Sequence, residues 1–183
     1  MSMLSYLDLV ELVESGVITG LEASDQINAS SIDVRLGDVL LTEPFRHEPG
    51  IVDPHLRTTF KGVPHDLSKD GPYLLPPGGF VLAATVEVFH LPLDLTGEFR
   101  MKSSGARSGL NHLMASHADP GWHGSVLTLE LHNVLRHHHI RLTRGMRIGQ
   151  VLFHRHARPV PLDRSYAARG RYNNDRQVSG VKP

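Results

Sequence analysis

The feature that most limits what this chain can fold into is its punctuation. Short apolar stretches follow one another with Pro, Gly, Asn or Asp between them, and no helix-length periodic segments intervene. Alternation of Ile32, Val34 and Leu36 with Asp33 and Arg35 predicts a strand over 32–36. Further strands are expected over 73–75, 80–91, 98–102, 113–118, 125–132, 138–143 and 146–153, with turns at Pro76-Pro77-Gly78-Gly79 and Thr143-Arg144-Gly145. A parallel sheet would need crossover helices, so the pattern predicts an all-β sandwich, barrel or jelly roll. One short amphipathic helix is expected over 5–15, capped by Ser5 and ended by Gly16. Residues 103–110 read as one or two helical turns, and 44–72 as long connections with one short strand.

At 183 residues the chain can bury a substantial core and suits a single domain over 1–183. Its last part, 157–183, is polar and is either disordered or a lid that orders on a ligand. Lys+Arg and Asp+Glu both number 19, so no global basic field argues for a nucleic acid or membrane partner. A polyanionic ligand would have to be met by local positive charge. The absence of cysteine excludes disulfide and thiolate chemistry and fits a reducing compartment. No apolar run approaches a membrane span, and MSMLSYLDLVELVES carries acids where a signal peptide would carry lysines; a cytoplasmic protein is expected.

Chemistry concentrates between residues 100 and 133. Glu130 is the one acid in the apolar run VLTLELH, and such a carboxylate is costly to bury without a purpose or a partner. It is either salt-bridged to Arg107 or poised as a general acid/base. Lys102-Ser103-Ser104 with Arg107 makes an oxyanion cradle or a capped surface turn. Asp119-Pro120-Gly121-Trp122 is a tight turn. Tyr166, Arg169, Arg171, Tyr172 and Arg176 either close over phosphates or form a solvated end. No GxxxxGK[ST], GxGxxG after a strand, or HExxH occurs, and a zinc nucleobase deaminase would need the cysteines of PCxxC. His137, His138 and His139 would alternate faces on a strand and read as a solvated turn. His154 and His156 share a face and read as a surface pair.

Taken in order, these residues resemble the dCTP deaminase branch of the trimeric dUTPase superfamily. The resemblance runs through INASSIDVRLG (27–37), LPPGGFVLAATVEVFHLPLDLTGEF (75–99), KSSGARSGL (102–110), DPGWHG (119–124), LELHN (129–133) and GMRIGQ (145–150). It implies a distorted β-barrel or jelly roll of the dUTPase-like (β-clip) type, assembled as a homotrimer with active sites at subunit interfaces. It implies zinc-independent deamination of dCTP to dUTP, with magnesium riding on the triphosphate and no metal held by the protein alone. Glu130 matches the family's acid/base, with Ser103 and Arg107 beside the reacting base. Ala115 matches the backbone that holds base or water, and Asp119 the ligand of the deoxyribose 3′-hydroxyl. Lys102, Ser104, Tyr166 and Arg171 fall where phosphate ligands lie, Trp122 stands in the sugar-side turn, and Asp175 or Gln177 takes the place of a tail glutamine. The same likeness leaves open a bifunctional enzyme that forms dUMP, and a nucleotide-binding regulator without turnover.

Three departures from the family pattern carry expectations. Asp119 to Glu130 is one residue longer and Arg107 to Asp119 one shorter, so a β-bulge near 125–127 is expected to keep Glu130 facing inward. Lys102 replaces an arginine, keeping charge but losing a bidentate fork. Asp175 would repel phosphates unless a metal bridged them.

Overall fold

A computed structural model describes residues 2–182 apart from Arg46, Met114 and Ser116. In chain order its strands are β1 (Ser2–Met3), β2 (Ile18–Thr19), β3 (Ile32–Arg35), β4 (Val39–Thr42), β5 (Val63–Asp66), β6 (Tyr73–Leu75) and β7 (Phe80–His90). They continue as β8 (Leu95–Met101), β9 (Leu110–His112), β10 (His117–Ala118), β11 (His123–Asn133), β12 (Ile140–Leu142) and β13 (Arg147–Arg155). The helices are α1 (Tyr6–Glu14), α2 (Ser103–Arg107) and α3 (Tyr166–Arg169). Helix α1 begins where expected: the Ser5 backbone N–H and hydroxyl both donate to Asp8 Oδ2 at 2.8 Å, and Leu9 and Leu12 face the core.

Two open antiparallel sheets make the body. In one, β13 lies between β8 and β3, with β10 beyond β8 and β1 pairing the end of β13. The other runs β5-β4-β7-β11-β9, with β2 added to β7, and a separate ribbon joins β6 to β12. Val81, Ala83, Leu129 and Leu131 of the second sheet share one buried cluster with Ile32, Val34, Phe99, Val151 and Phe153 of the first. Alternate residues of β7 and β11 therefore point away from the core, and that outer face carries the site.

The strand expected over 113–118 falls partly on Met114 and Ser116, outside the described residues; its neighbours form β9 and β10. Between 44 and 72 the one short strand is β5. The triple histidine lies in an exposed bend. His154 and His156 each have their own partner, at 3.7 Å from Glu98 Oε2 and 2.6 Å from Thr96 Oγ1. Among the described residues, no helix is long and apolar enough to cross a membrane.

The bulge is present. His123 pairs with His90 and Ser125 with Phe89, so Gly124 is an extra residue in β11. A second irregularity compensates on the other strand: Val126 pairs with Val88 but Thr128 with Ala84, leaving Thr85, Val86 and Glu87 opposite Leu127. The Thr85 hydroxyl fills the interrupted ladder, accepting from Leu127 N–H at 3.0 Å. Beyond this point pairing is regular, and Glu130 sits opposite Leu82 on the outer face, not inward as expected, because Leu129 and Leu131 take the buried face.

Candidate active site

On that outer face is a cavity of about 880 Å³, within the range of small-molecule sites. Its floor is Phe80 and Leu82 of β7 with Val126, Thr128 and Glu130 of β11. The loop 52–60 closes one side, with Phe60 edge-on to Phe80 at 5.8 Å between ring centres. The tail closes another through Tyr172, Asp175 and Ser179–Val181. Of the residues expected at the site, the cavity brings together Ala115, Asp119, Trp122, Glu130, Tyr166 and Asp175.

Glu130 keeps about a quarter of its side chain exposed, at 24%. Its two oxygens differ. Oε2 is buried and accepts no well-aligned hydrogen bond from the described residues, but lies 3.0 Å from Nε2 of His112. His112, at the end of β9, is 4% exposed and packs its ring on Phe99 at 4.7 Å. The expected partner Arg107 is elsewhere: it ends α2 on the exposed surface and does not line the cavity. His112 had no signal in the sequence, because strand pairing rather than chain proximity brings β9 beside Glu130.

The turn at residues 119–122 forms as its residues dictate. Pro120 and Gly121 occupy its centre, Gly121 has φ +86°, and Trp122 N–H donates to Asp119 O at 3.1 Å. Pro then Gly at these positions is the type II signature. Trp122 is largely buried, stacks on Phe89 at 5.5 Å and donates Nε1–H to Tyr172 O at 3.0 Å. The exposed Asp119 has His117 Nε2 at 3.2 Å.

The tail docks on this turn and on the bulge. Ser125 Oγ donates to Tyr172 O at 2.6 Å, Asn174 N–H to His123 O at 3.0 Å, and Val126 N–H to Asp175 O at 2.9 Å. Tyr166 N–H donates to Pro120 O at 2.9 Å, and burial raises its phenol above the usual tyrosine range. Asp175 is not an isolated acid: Oδ2 accepts from Ser179 at 3.0 Å and lies 2.8 Å from Lys182 Nζ. Arg171 and Gln177 are exposed and do not line the cavity.

The other expected wall lies outside this cavity. Ser103, Ser104 and Arg107 are exposed on α2. Lys102 is half-buried, with Nζ 2.6 Å from Oδ2 of Asp33, itself 1% exposed. Asp33 also accepts from Asn28 at 2.8 Å and lies 3.6 Å from Arg147. The ammonium is thus committed to a buried carboxylate and fixes the start of α2.

Charge shows what the cavity lacks. Among its described lining residues are three carboxylates, Asp119, Glu130 and Asp175, and no Lys or Arg. No group of three or more His, Asp or Glu converges as a metal site among the described residues. Without a converging cage, these carboxylates could give a magnesium ion only one or two oxygens, leaving most of its ligands to come from a bound polyphosphate.

Comparison with known proteins gives the family. The family model described as dCTP deaminase-like matches residues 3–156. The chain is 33% identical over 190 residues to the "dCTP deaminase, dUMP-forming" of Methanopyrus kandleri, covering 100% of this chain and 96% of the relative. It is 42% identical over 139 residues to the protein of the same name from Acidothermus cellulolyticus, covering 73% of this chain and 69% of that one. Among solved structures it is similar to 2′-deoxycytidine 5′-triphosphate deaminase from Agrobacterium tumefaciens, with TM-score 0.65 and 24% identity over 82% of this chain; it spans 47% of that one. The all-β, dUTPase-like fold expected from the resemblance is the fold observed. With the family model matching most of its length and a relative 33% identical along its whole length, the chain belongs to the dCTP deaminase-like family.

Proposed function

We propose that the protein converts dCTP to dUMP, deaminating the cytosine and hydrolysing the triphosphate. The observation that carries this reading is Glu130 placed on the floor of a nucleotide-sized cavity with Asp119 at its rim. The relatives named as dUMP-forming favour this product over dUTP, the end product first expected. In balance, dCTP and two waters give dUMP, diphosphate and ammonia.

Glu130 takes a proton from the water that attacks C4 and passes it to N3. It then takes the proton of the new C4 hydroxyl and passes it to the amine, which leaves as ammonia as the C4 carbonyl forms. A carboxylate mostly withdrawn from solvent but open to the cavity can serve both roles. Asp119 accepts from the deoxyribose 3′-hydroxyl beside Trp122, and the backbone at Ala115 holds the base or the water. Tyr166 and Asp175, which line the cavity, lie along the phosphates; Arg171 and Gln177 stay outside it in this structure. Magnesium arriving on the triphosphate would neutralise charge between its oxygens and the nearby Asp175.

Three acids and no described Lys or Arg cannot hold a triphosphate alone. We therefore read the site as shared: Ser103, Ser104 and Arg107 of one copy, on the turn anchored by Lys102, complete the cavity of another in a homotrimer. This places Ser103 and Arg107 beside the base and Ser104 near the phosphates. A cytoplasmic setting suits such a nucleotide enzyme, with no membrane or nucleic-acid partner.

The test is incubation with dCTP and magnesium, following ammonia, dUTP, dUMP and diphosphate separately. dUMP with stoichiometric ammonia supports the proposal. Accumulating dUTP would remove the second step, and binding without turnover would leave a regulator.

A further inference from the structure

We infer that His112 is a positioning residue for Glu130, holding one carboxylate oxygen so that the other alone serves the reacting water. The inference rests on the reading of Glu130 as the acid/base and goes beyond it, because no pairing of Glu130 with a histidine was expected.

Glu130 Oε2 is buried, and Nε2 of His112 is 3.0 Å from it. A buried carboxylate oxygen is costly without a donor, and the imidazole is the group in contact with it. The alignment is poor without substrate, a state in which catalytic hydrogen bonds are often loose and tighten in the complex. His112 is itself held: its ring packs on Phe99, its backbone N–H donates to Asn111 Oδ1 at 2.9 Å, and β9 is paired to β11 at Leu131. The donor therefore comes from a fixed strand rather than a loop.

The exposed part of the Glu130 side chain faces the cavity, whose floor it forms. With Oε2 turned to His112, Oε1 is the oxygen left for the proton transfers. A carboxylate free to rotate would offer either oxygen in many orientations; one tethered oxygen limits it to the productive set. Misplacing a reacting group by about 1 Å can cost 10²-fold in rate.

The test compares His112→Leu with His112→Gln in the full-length protein, using dCTP and magnesium. His112→Leu removes the donor and keeps an apolar side chain on Phe99. We expect kcat for ammonia release to fall roughly 10–100-fold with KM for dCTP nearly unchanged. His112→Gln, whose amide N–H can stand near the lost Nε2, should recover much of the rate. If His112→Leu does not fold, His112→Asn takes its place, its shorter amide falling short of Oε2. A second readout isolates the route: in the turnover-deficient Glu130→Gln background, His112→Leu should leave dCTP affinity within about twofold, since His112 then has no carboxylate to orient. Wild-type kcat in His112→Leu, no recovery in His112→Gln, or lost affinity in the Glu130→Gln background would each overturn the inference. Full turnover by Glu130→Gln would instead remove the reading of Glu130 as acid/base, so the two failures are distinguishable.

Discussion

At the scale of the residue, the proposed chemistry turns on Glu130. Glu130→Gln preserves size and removes the proton-accepting oxygen. It should lower ammonia release by at least about 10³-fold while dCTP binding by calorimetry changes little; unchanged turnover would sink the mechanism. The residue was legible because a lone acid between Leu129 and Leu131 breaks an apolar run. What it touches was not legible. The sequence suggested Arg107, which in the same chain lies on the exposed α2, whereas pairing of β9 to β11 brings His112 to 3.0 Å from the carboxylate. No local pattern distinguishes His112 from any other histidine on a short strand.

At the scale of the element, β11 and α2 are each set by a buried polar arrangement. The Lys102–Asp33 pair fixes the first residue before α2, and removing one partner of a buried pair is strongly destabilising. Lys102→Met should therefore cost about 3 kcal/mol in urea denaturation, the lower end of the range because Asn28 and Arg147 remain near Asp33. A variant that lost only KM for dCTP, at unchanged stability, would make Lys102 a phosphate ligand instead. In β11, Gly124 has φ +69°, and a side chain there would collide with Asn174 of the docked tail. Gly124→Ala should loosen the tail and raise KM for dCTP, read alongside faster proteolysis beyond residue 170. The strands were legible from alternation and the DPGW turn from its Pro-Gly centre. The compensating bulge in β7 was not, since it depends on Thr85 replacing a ladder bond. The tail's polar composition also concealed its docking, which is made through backbone groups and small hydroxyls rather than apolar side chains.

At the scale of the whole molecule, the proposal of a site shared between copies makes its own prediction. Mixing Glu130→Gln subunits with Arg107→Ala subunits should restore activity to a fraction of sites, because some interfaces then pair an intact acid with an intact arginine. No recovery after reassembly from denaturant would argue that each chain works alone. Chelating magnesium should weaken dCTP binding, checked by calorimetry with and without the ion. The interrupted pairing of β11 has a further consequence for how such a chain can change over time. Its first half is indexed to the turn and tail, and its second half to β7 and β9. The two indices are independent. A residue gained or lost in the turn is absorbed before Thr128, and the acid keeps its phase. Turn length could then drift among descendants of one ancestor without moving Glu130, and a search that demands constant spacing between the DPGW turn and the acid would pass over such chains.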